Sequence, residues 1–320
     1  MKNVLILSAG RRVELVESFL KEINLKNHDI KLFTTDMKPN YSAACKRIEN
    51  NFQSIEVGDP NYIDFILKKS KVYDIGMIIP TIDTELLILS KNLELFKSNG
   101  VNIVVSNPDL IKVSNDKRLT FDFFNNLNLD VPIIYKKDKL KFPCFAKPYS
   151  GSNSIGCLKI LDKDDLSVTL INDDKIIFTE FVGNEFSEYT VDMYYDQLGE
   201  LKCLVPRQRI EVRAGEVSKG ITRKNYVYDY LLSHFKKLSG ARGCITLQLF
   251  YNNKSNKIYF IEINPRFGGG FPLSYSAKAN YPGWLLDEYF YNRKITFFDS
   301  WEKNLLMLRY DSKMLIHNVS

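Results

Sequence analysis

Short apolar runs alternate with stretches of helical periodicity along the first hundred residues. The apolar runs predict buried strands at residues 4–7, 30–34, 75–79 and 101–105. Apolar positions spaced three or four apart predict helices at residues 13–23, 61–69 and 84–96. Strands that alternate with helices form parallel sheets whose faces are covered by those helices. Residues 1–107 are therefore predicted to be an α/β unit, and its ligands are expected at the carboxyl ends of its strands.

After residue 107 the pattern becomes rich in strands. Predicted strands lie at residues 142–147, 158–161, 175–180, 188–195, 244–251 and 257–266, and predicted helices at residues 116–127, 226–238 and 283–291. This mixture predicts an α+β region in two lobes, with boundaries at 108–182 and 183–320. The fold class predicted for the whole chain is an α/β parallel-sheet domain followed by a two-lobed α+β domain.

Composition narrows the class of protein. The chain has 320 residues, of which 45% are apolar and 26% charged, which is ordinary for a globular protein. A net charge of +6 suits an enzyme with anionic substrates. The sequence has no basic run interleaved with aromatic residues, so it does not favour a nucleic acid as the partner. The five cysteines form no C-x-x-C pair and the three histidines lie far apart, so no zinc site is expected. The apolar runs are too short for a signal peptide or a membrane span, and we expect a cytoplasmic protein.

The last two predicted strands carry polar residues between apolar ones. Glu262 and Asn264 alternate and therefore point to one face, and Gln248 comes close to them if the strands pair as a hairpin. A bland interpretation is a solvated strand face, but the surrounding residues are apolar, so these side chains need a partner. Carboxylate and amide oxygens suit Mg²⁺, and Arg266 follows directly. The sequence favours a metal and phosphate site here, in front of the glycine turn that contains Gly269.

A glycine- and serine-rich turn follows the strand that ends at Lys147. Gly151 and Gly156 bracket a segment that includes Ser152 and Ser154. Glycine lets main-chain amides approach phosphate oxygens, and the hydroxyl groups add donors. Many such turns are only turns, and the spacing is not that of a Walker loop. The metal site predicted a hundred residues later gives the phosphate-binding interpretation its weight.

Two further segments have an ordinary and a functional interpretation. Glu180, Phe181, Val182 and Glu188 join two strands and are typical either of an exposed acidic hairpin or of a linker that binds adenine and ribose. The basic residues of the second segment form either a solvated edge-strand face or a clamp for a substrate anion. These candidate substrate residues are Arg207, Arg209, Arg213 and Lys219, and Gly269 of the later glycine turn is a fifth candidate.

The order of these motifs resembles the ATP-grasp superfamily over about residues 1–310. The resemblance implies that the α/β unit is a pre-ATP-grasp domain, that ATP binds between the lobes, and that Mg²⁺, or Mn²⁺ in its place, is the cation. It implies nucleotide contacts from Lys117, Lys147, Ser152, Ser154, Gly156, Glu180, Phe181, Val182 and Glu188. It also implies metal ligation by Gln248, Glu262 and Asn264, with Arg266, Lys147 and Asn264 taking part in catalysis.

Glutamine at 248 and the segment Ser8-Ala9-Gly10-Arg11-Arg12 are similar to the large subunit of carbamoyl-phosphate synthase. That subunit has two ATP-grasp units and this chain has one, so the resemblance implies a stand-alone ligase that joins a small carboxylate to an amine through an acylphosphate. One alternative is a bicarbonate- or carbamate-phosphorylating half of a split synthase. Another is a nucleotide-binding module without catalysis. The resemblance is also compatible with a homodimer.

Overall fold

A computed structural model describes residues 2–26, 29–151, 155–213 and 215–317. The N-terminal unit is a five-stranded parallel sheet in the order β3-β2-β1-β4-β5. Its strands are β1 (Asn3–Ile6), β2 (Leu32–Asp36), β3 (Asn51–Gln53), β4 (Ile75–Ile79) and β5 (Asn102–Ile103). Its helices are α1 (Val13–Lys26), α2 (Ala43–Lys46), α3 (Tyr62–Val72), α4 (Asp83–Lys91) and α5 (Leu93–Ser98). The predicted α/β parallel-sheet unit is confirmed.

Three details of this unit differ from the prediction. Strand β2 starts and ends two residues later than expected, and its last three residues, Thr34, Thr35 and Asp36, pair with β3. Strand β3 itself was missed, since its three residues include only one that is apolar. The single helix predicted over 84–96 is two helices, separated at Asn92, whose side chain donates a hydrogen bond back to the carbonyl of Ile88. An Asn side chain that bonds the local main chain competes with helical pairing in this way.

The middle of the chain forms a small lobe around a four-stranded antiparallel sheet in the order β6-β9-β7-β8. Its strands are β6 (Ile134–Tyr135), β7 (Cys144–Pro148), β8 (Leu158–Ile160) and β9 (Ile176–Glu180). Helices α6 (Pro108–Asn115) and α7 (Lys117–Asn126) precede the sheet, and α8 (Val168–Asn172) precedes β9. Helix α7 lies where it was predicted, with the Asp116 side chain accepting from the amide of Arg118 as its N-cap.

The rest of the chain builds a large lobe on a six-stranded antiparallel sheet in the order β14-β13-β10-β11-β12-β15. Its strands are β10 (Ser187–Tyr195), β11 (Leu201–Arg213), β12 (Glu216–Thr222), β13 (Gly243–Tyr251), β14 (Ile258–Asn264) and β15 (Leu306–Leu308). Its helices are α9 (Tyr226–His234), α10 (Phe271–Ser276) and α11 (Tyr281–Phe290). Strand β11 is interior to the sheet, so the edge-strand interpretation of its arginines is wrong. Helix α9 ends four residues before the predicted 238.

A β-bulge lies in strand β14. Gln248 pairs with Glu262, whereas the next residue of β13, Leu249, pairs with Phe260, so Ile261 has no opposite partner. Simple alternation would place Phe260 on the same face as Glu262. The extra residue reverses the faces, and Phe260 is instead fully buried beneath the sheet against Phe124, with ring centroids 5.1 Å apart. The bulge thus keeps the carboxylate on the open face while the aromatic ring fills the core.

The N-terminal unit packs directly on the large lobe. One apolar core contains residues of β1, α1, β13 and α11 together. At its edge Glu22 of α1 accepts hydrogen bonds from Tyr275 at 2.7 Å and from Asn280 at 2.8 Å. Burying polar groups in matched pairs fixes the relative position of two surfaces. The helix that follows β1 is therefore held rigidly against the lobe that carries β14. Within the described ranges no helix is long and apolar enough to span a membrane.

Candidate functional site

A cavity of about 310 Å³ lies between the sheets of the two lobes. Its volume falls within the roughly 300–1,000 Å³ of pockets that bind small ligands. The predicted residues that line it are Lys117, Lys147, Glu180, Phe181, Val182, Glu188, Arg209, Gln248, Glu262, Asn264 and Arg266. Residues distant in sequence thus converge on one space, although their individual roles remain predictions.

Three oxygen-bearing side chains meet on the large-lobe wall of this cavity. Gln248 lies directly opposite Glu262 on the neighbouring strand, and Asn264 is two residues further along the same face. Asn264 is buried, yet across the described residues its side chain, like those of Gln248 and Glu262, makes no hydrogen bond to protein. Buried polar groups normally have a partner. Their oxygens fit a hard cation such as Mg²⁺, which takes a few protein oxygens and completes its shell with water and phosphate.

No group of three His, Cys, Asp or Glu that could hold a metal occurs in the part of the chain that the structure describes. A cation at the hairpin would therefore have one carboxylate, Glu262, and two amides as protein ligands. A single carboxylate has a low affinity for a divalent ion. Such a site is suited to a cation that arrives together with nucleotide phosphates.

Arg266 is held at the end of the same hairpin by the N-terminal unit. Its Nε and one Nη each donate to Asp83 at 2.7 Å, which is a bidentate ion pair, and its other Nη donates to the carbonyl of Phe267 at 3.3 Å. Asp83 opens α4 at the carboxyl end of β4, where the parallel-sheet pattern predicted ligands. A guanidinium fixed in this way keeps its charge facing the cavity without reorganisation.

Two lysines face this wall from the small lobe. Lys147 is 5% exposed, and its ammonium lies 4.9 Å from the centre of the Phe121 ring. Burial, and secondarily the charge of Lys117, lower the pKa of Lys147 to about 8. Lys117 donates to the carbonyl of Gly151 at 2.9 Å, at the start of the glycine-rich turn. Two positive charges near each other in a partly desolvated space favour the binding of an anion.

The cavity also contains a partly apolar slot at Phe181. Residues 181 and 182 follow Glu180, the last residue of β9, whose amide donates to the carbonyl of Ile133 at 2.8 Å. Phe181 is covered by the ammonium of Lys159, 4.1 Å from the ring centre. Pro132 and Ile261 also line the cavity. An apolar slot lined by Phe181, Pro132 and Ile261 suits a purine base.

Glu188 lies between that slot and the hairpin. It forms an ion pair with Arg209, which also donates to the carbonyl of Gly215 at 2.9 Å. Burial raises the pKa of Glu188, although the charge of Arg209 opposes this shift. Arg209 was predicted as a substrate residue and Glu188 as a ribose ligand. In this structure the two side chains are partners, so each orients the other.

A second chamber of about 90 Å³ continues from the main cavity past Arg266. Its polar lining comes from both the large lobe and the start of α1. The lining residues that it shares with the main cavity are Arg209, Gly215, Gln248, Asn264 and Arg266, and those of its own include Arg12, Arg207, Glu216 and the glycines 268–270. Gly269 therefore lies where a substrate contact was predicted. Arg207 is there too, fully buried and bound to Asp192 at 2.8 and 3.0 Å.

Some predicted residues lie elsewhere. Arg213 pairs with Asp311 at 3.2 Å and Lys219 with Glu211 at 2.6 Å, both on the exposed surface and in the walls of neither cavity. Two register shifts beside Glu211 interrupt the pairing of β11 with β12 between Arg209 and Arg213. Gly156 has a φ of +73°, a value that favours glycine, at the end of the turn between β7 and β8. Ser152 and Ser154 lie outside the described residues.

The sequence interpretation missed two contributors to the site. Asp83 was not among the predicted site residues, and its pairing with Arg266 joins positions 183 residues apart. Cys157 lines the main cavity, and burial raises the pKa of its thiol even though Lys117 and Lys147 act in the opposite direction. No local pattern marks either residue, since both depend on how the domains meet.

Comparison with protein families matches two models along the chain. Residues 4–104 match the PylC-like, N-terminal domain, and residues 114–270 match an ATP-grasp domain. A D-alanine–D-alanine ligase of Acetivibrio thermocellus is 24% identical over 147 residues. That match covers 40% of this chain and only 38% of the length of the ligase.

Solved structures share the fold over almost the whole chain. The biotin carboxylase domain dimer of the Hydrogenobacter thermophilus 2-oxoglutarate carboxylase, in complex with MgADP, ADP and bicarbonate, has a TM-score of 0.73. It is 14% identical, and the match covers 95% of this chain and 73% of that one. An L-amino acid ligase of Bacillus licheniformis has a TM-score of 0.67 at 15% identity, covering 90% and 74% of the two chains. At such identities the likeness shows a common fold.

Proposed function

Because the chain belongs to the ATP-grasp superfamily, we propose that it is an ATP-dependent ligase that activates a small carboxylate and joins it to an amine. One observation carries the proposal. Gln248, Glu262, Asn264 and Arg266 converge on one wall of a cavity whose opposite wall holds Lys117 and Lys147. A non-catalytic nucleotide module would have no need for an oriented arginine beside the oxygen ligands.

The proposed chemistry uses the chain's own side chains for binding and charge compensation. Adenine occupies the slot beside Phe181, and the phosphates extend towards Lys117 and Lys147. Mg²⁺ bound by Gln248, Glu262 and Asn264 would neutralise charge on the phosphate oxygens. The substrate carboxylate attacks the γ-phosphorus, ADP leaves, and an acylphosphate forms.

Arg266, held by Asp83, stabilises the negative charge on the phosphoryl group during that transfer. The amine then attacks the acyl carbon and releases phosphate, and its extra proton passes to solvent or to the leaving phosphate. Closing the cavity would keep water from hydrolysing the acylphosphate. The similarity to a D-alanine–D-alanine ligase and to an L-amino acid ligase fold supports amino acids as the substrates to test first.

The experiment is an ADP-release screen with MgATP in which amino acids are offered in pairs, and bicarbonate is offered with and without each amine. A ligase gives ADP only when both an acid and an amine are present, together with an amide product detected by mass spectrometry. ADP release with bicarbonate alone would instead support the split-synthase alternative. Binding of ATP without turnover in any pair would contradict the ligase proposal.

Glu262→Ala tests the metal assignment within the same screen. Glu262 is the only carboxylate among the three proposed ligands, so its removal should lower turnover by more than about a hundredfold, as the loss of a charged group in a transition state does. Glu94→Ala, at an exposed helix position, removes the same charge away from the site. Turnover of Glu262→Ala equal to that of the control would show that this hairpin does not hold the metal.

A further inference from the structure

The arginines around the second chamber differ in how their charges are compensated. Arg207 is paired with Asp192, Arg209 with Glu188, and Arg266 with Asp83. For Arg12, no carboxylate of the described residues lies within ion-pair distance. Its two Nη groups donate only to main-chain carbonyls, to Thr81 at 2.9 Å and to Phe267 at 3.1 Å. Carbonyl dipoles hold and orient a guanidinium, but they do not neutralise it.

Arg12 lies next to Arg266 in space. Both guanidinium groups donate to the same carbonyl, that of Phe267, at 3.1 and 3.3 Å. Two like charges brought to one acceptor repel each other. Burial, followed by the charge of Arg266, lowers the pKa of Arg12 to about 10, although the charges of Glu216, Asp83 and Glu85 oppose this shift, and Arg12 stays charged at neutral pH. Of these two adjacent cations, Arg266 forms an ion pair, whereas Arg12 forms none within the described residues.

The local structure holds Arg12 firmly in this position. It follows the tight exit from β1, where Ser8 and Gly10 adopt φ values of +48° and +50°, and its amide donates to the carbonyl of Ala9 at 2.9 Å. The helix that begins at the next residue is packed on the large lobe. A long charged side chain held in a well-packed corner without an ion-pair partner is typical of a binding site.

We propose that Arg12 binds the carboxylate of the acid substrate in the second chamber, where the carboxylate bridges the guanidinium groups of Arg12 and Arg266. This inference rests on the proposed ligase function and identifies where its acid substrate binds. One carboxylate oxygen would lie at the boundary that the chamber shares with the nucleotide cavity. That is the position from which it can attack the γ-phosphorus.

The chamber also limits the class of acid. At about 90 Å³ it is much smaller than the roughly 300 Å³ at which pockets for drug-sized ligands begin. The glycines 268–270 line it, and a Cβ on Gly270 would lie 2.2 Å from an Nη atom of Arg207 and 2.8 Å from Val217, so glycine lets the turn pack closely against Arg207. The chamber therefore favours a compact acid, of the size of acetate, bicarbonate or alanine, over a bulky aromatic one.

Direct binding tests the inference independently of turnover. The probes are acetate, L-alanine, D-alanine and L-phenylalanine, observed by saturation-transfer NMR with the full-length protein in the presence of MgADP. We expect saturation of at least one of the three small acids and not of L-phenylalanine. Arg12→Gln should weaken that binding at least about tenfold, as the loss of a charge-assisted pair does. Arg12→Lys, which keeps the charge without the fork, should recover part of it.

Arg11→Gln is the matched control, because it removes the same charge from the neighbouring residue. The Arg11 side chain is 84% exposed, and its distance to Glu216 is 3.5 Å, so this contact contributes little. It should bind the small acids as the wild-type protein does. The affinity for ADP, measured by calorimetry, should change less than about twofold in Arg12→Gln, because the contacts of Arg12 lie on the chamber side of Arg266.

Three results would overturn the inference. One is equal binding of the small acid by the wild-type protein and Arg12→Gln. Another is the absence of any small-acid signal from a wild-type protein that binds MgADP. The third is a loss of ADP affinity in Arg12→Gln as large as the loss of acid binding, since that indicates a structural role. Failure of the wild-type protein to bind MgADP would instead refute the proposed function itself.

Discussion

The buried ammonium of Lys147 predicts a specific pH dependence of nucleotide binding. The pKa of Lys147 is lowered from 10.5 to about 8 by burial and by the charge of Lys117. Its charged form is therefore present below pH 8 and is lost as the pH rises through that value. A nucleotide phosphate in the cavity supplies the missing negative charge and should restore the lysine's pKa towards its ordinary range.

The size of the effect follows from this shift. If only the protonated lysine binds phosphate, the free protein must take up a proton above pH 8 before it binds. About 90% of the free protein carries that proton at pH 7 and about 10% at pH 9, so the dissociation constant for ADP should rise about tenfold between these values. Binding at pH 9 should take up close to one proton.

Isothermal titration calorimetry measures both quantities. The dissociation constant is followed from pH 6.5 to 9.5 in the presence of Mg²⁺, and proton uptake comes from the difference in heat between buffers of unlike ionisation enthalpy. Lys147→Arg is the matched variant, because a guanidinium stays charged over the whole range. Its profile should be flat. Lys147→Met should bind roughly tenfold or more weakly at pH 7, as expected for a lost charge-assisted hydrogen bond, and should also show little slope.

A flat wild-type profile would show that Lys147 is either fully charged in the free protein or not in contact with the phosphates. The same rise in Lys147→Arg would assign the titration to another group that lines the cavity, such as Cys157. Both outcomes would refute the reasoning from burial.

Further predictions concern catalysis and stability. Asp83→Asn should leave ADP affinity unchanged but lower kcat by about 10–100-fold, because the guanidinium of Arg266 loses the carboxylate that orients it. Steady-state kinetics with the acid and amine found in the screen would measure this effect. An unchanged kcat would show that the ion pair is only structural. Phe260→Ala should lower the free energy of unfolding by about 3–5 kcal/mol in urea denaturation, because it opens a cavity beside Phe124. Leu158→Ala, half exposed on the small lobe, should change it by less than about 1 kcal/mol, and equal losses for the two would contradict the core position of Phe260.

The local geometry of the site could be predicted from the sequence, because it depends on strand periodicity. Gln248, Glu262 and Asn264 could be placed together because side chains alternate and because the strands were short enough to form a hairpin. The same alternation gave the wrong face for Phe260, since a bulge leaves no mark in the pattern of apolar residues. The parallel unit was predictable for a similar reason, because β1 and β4 are buried runs with obvious helices between them.

Hydrophobic periodicity does not predict contacts between segments that are distant in sequence. The pairing of Asp83 with Arg266 and the two carbonyl bonds of Arg12 depend on how the N-terminal unit packs on the large lobe. The arginine series of β11 shows the same limit, because its members look equivalent in sequence. In the structure Arg207 is buried in an ion pair, whereas Arg213 is exposed at the end of the strand, beyond two register shifts.

The packing of α1 on the large lobe has a consequence for protein engineering. Two family models divide the chain into separate modules, but Asp83 is contributed by the N-terminal module and neutralises an arginine of the other. A fragment that begins after residue 107 would expose the apolar faces of α10 and α11 and leave that arginine without its carboxylate. Chimaeras that exchange the N-terminal module among relatives therefore need to transfer Glu22 and Asp83 together with their partners Tyr275, Asn280 and Arg266. In such chimaeras the two modules should be exchanged together.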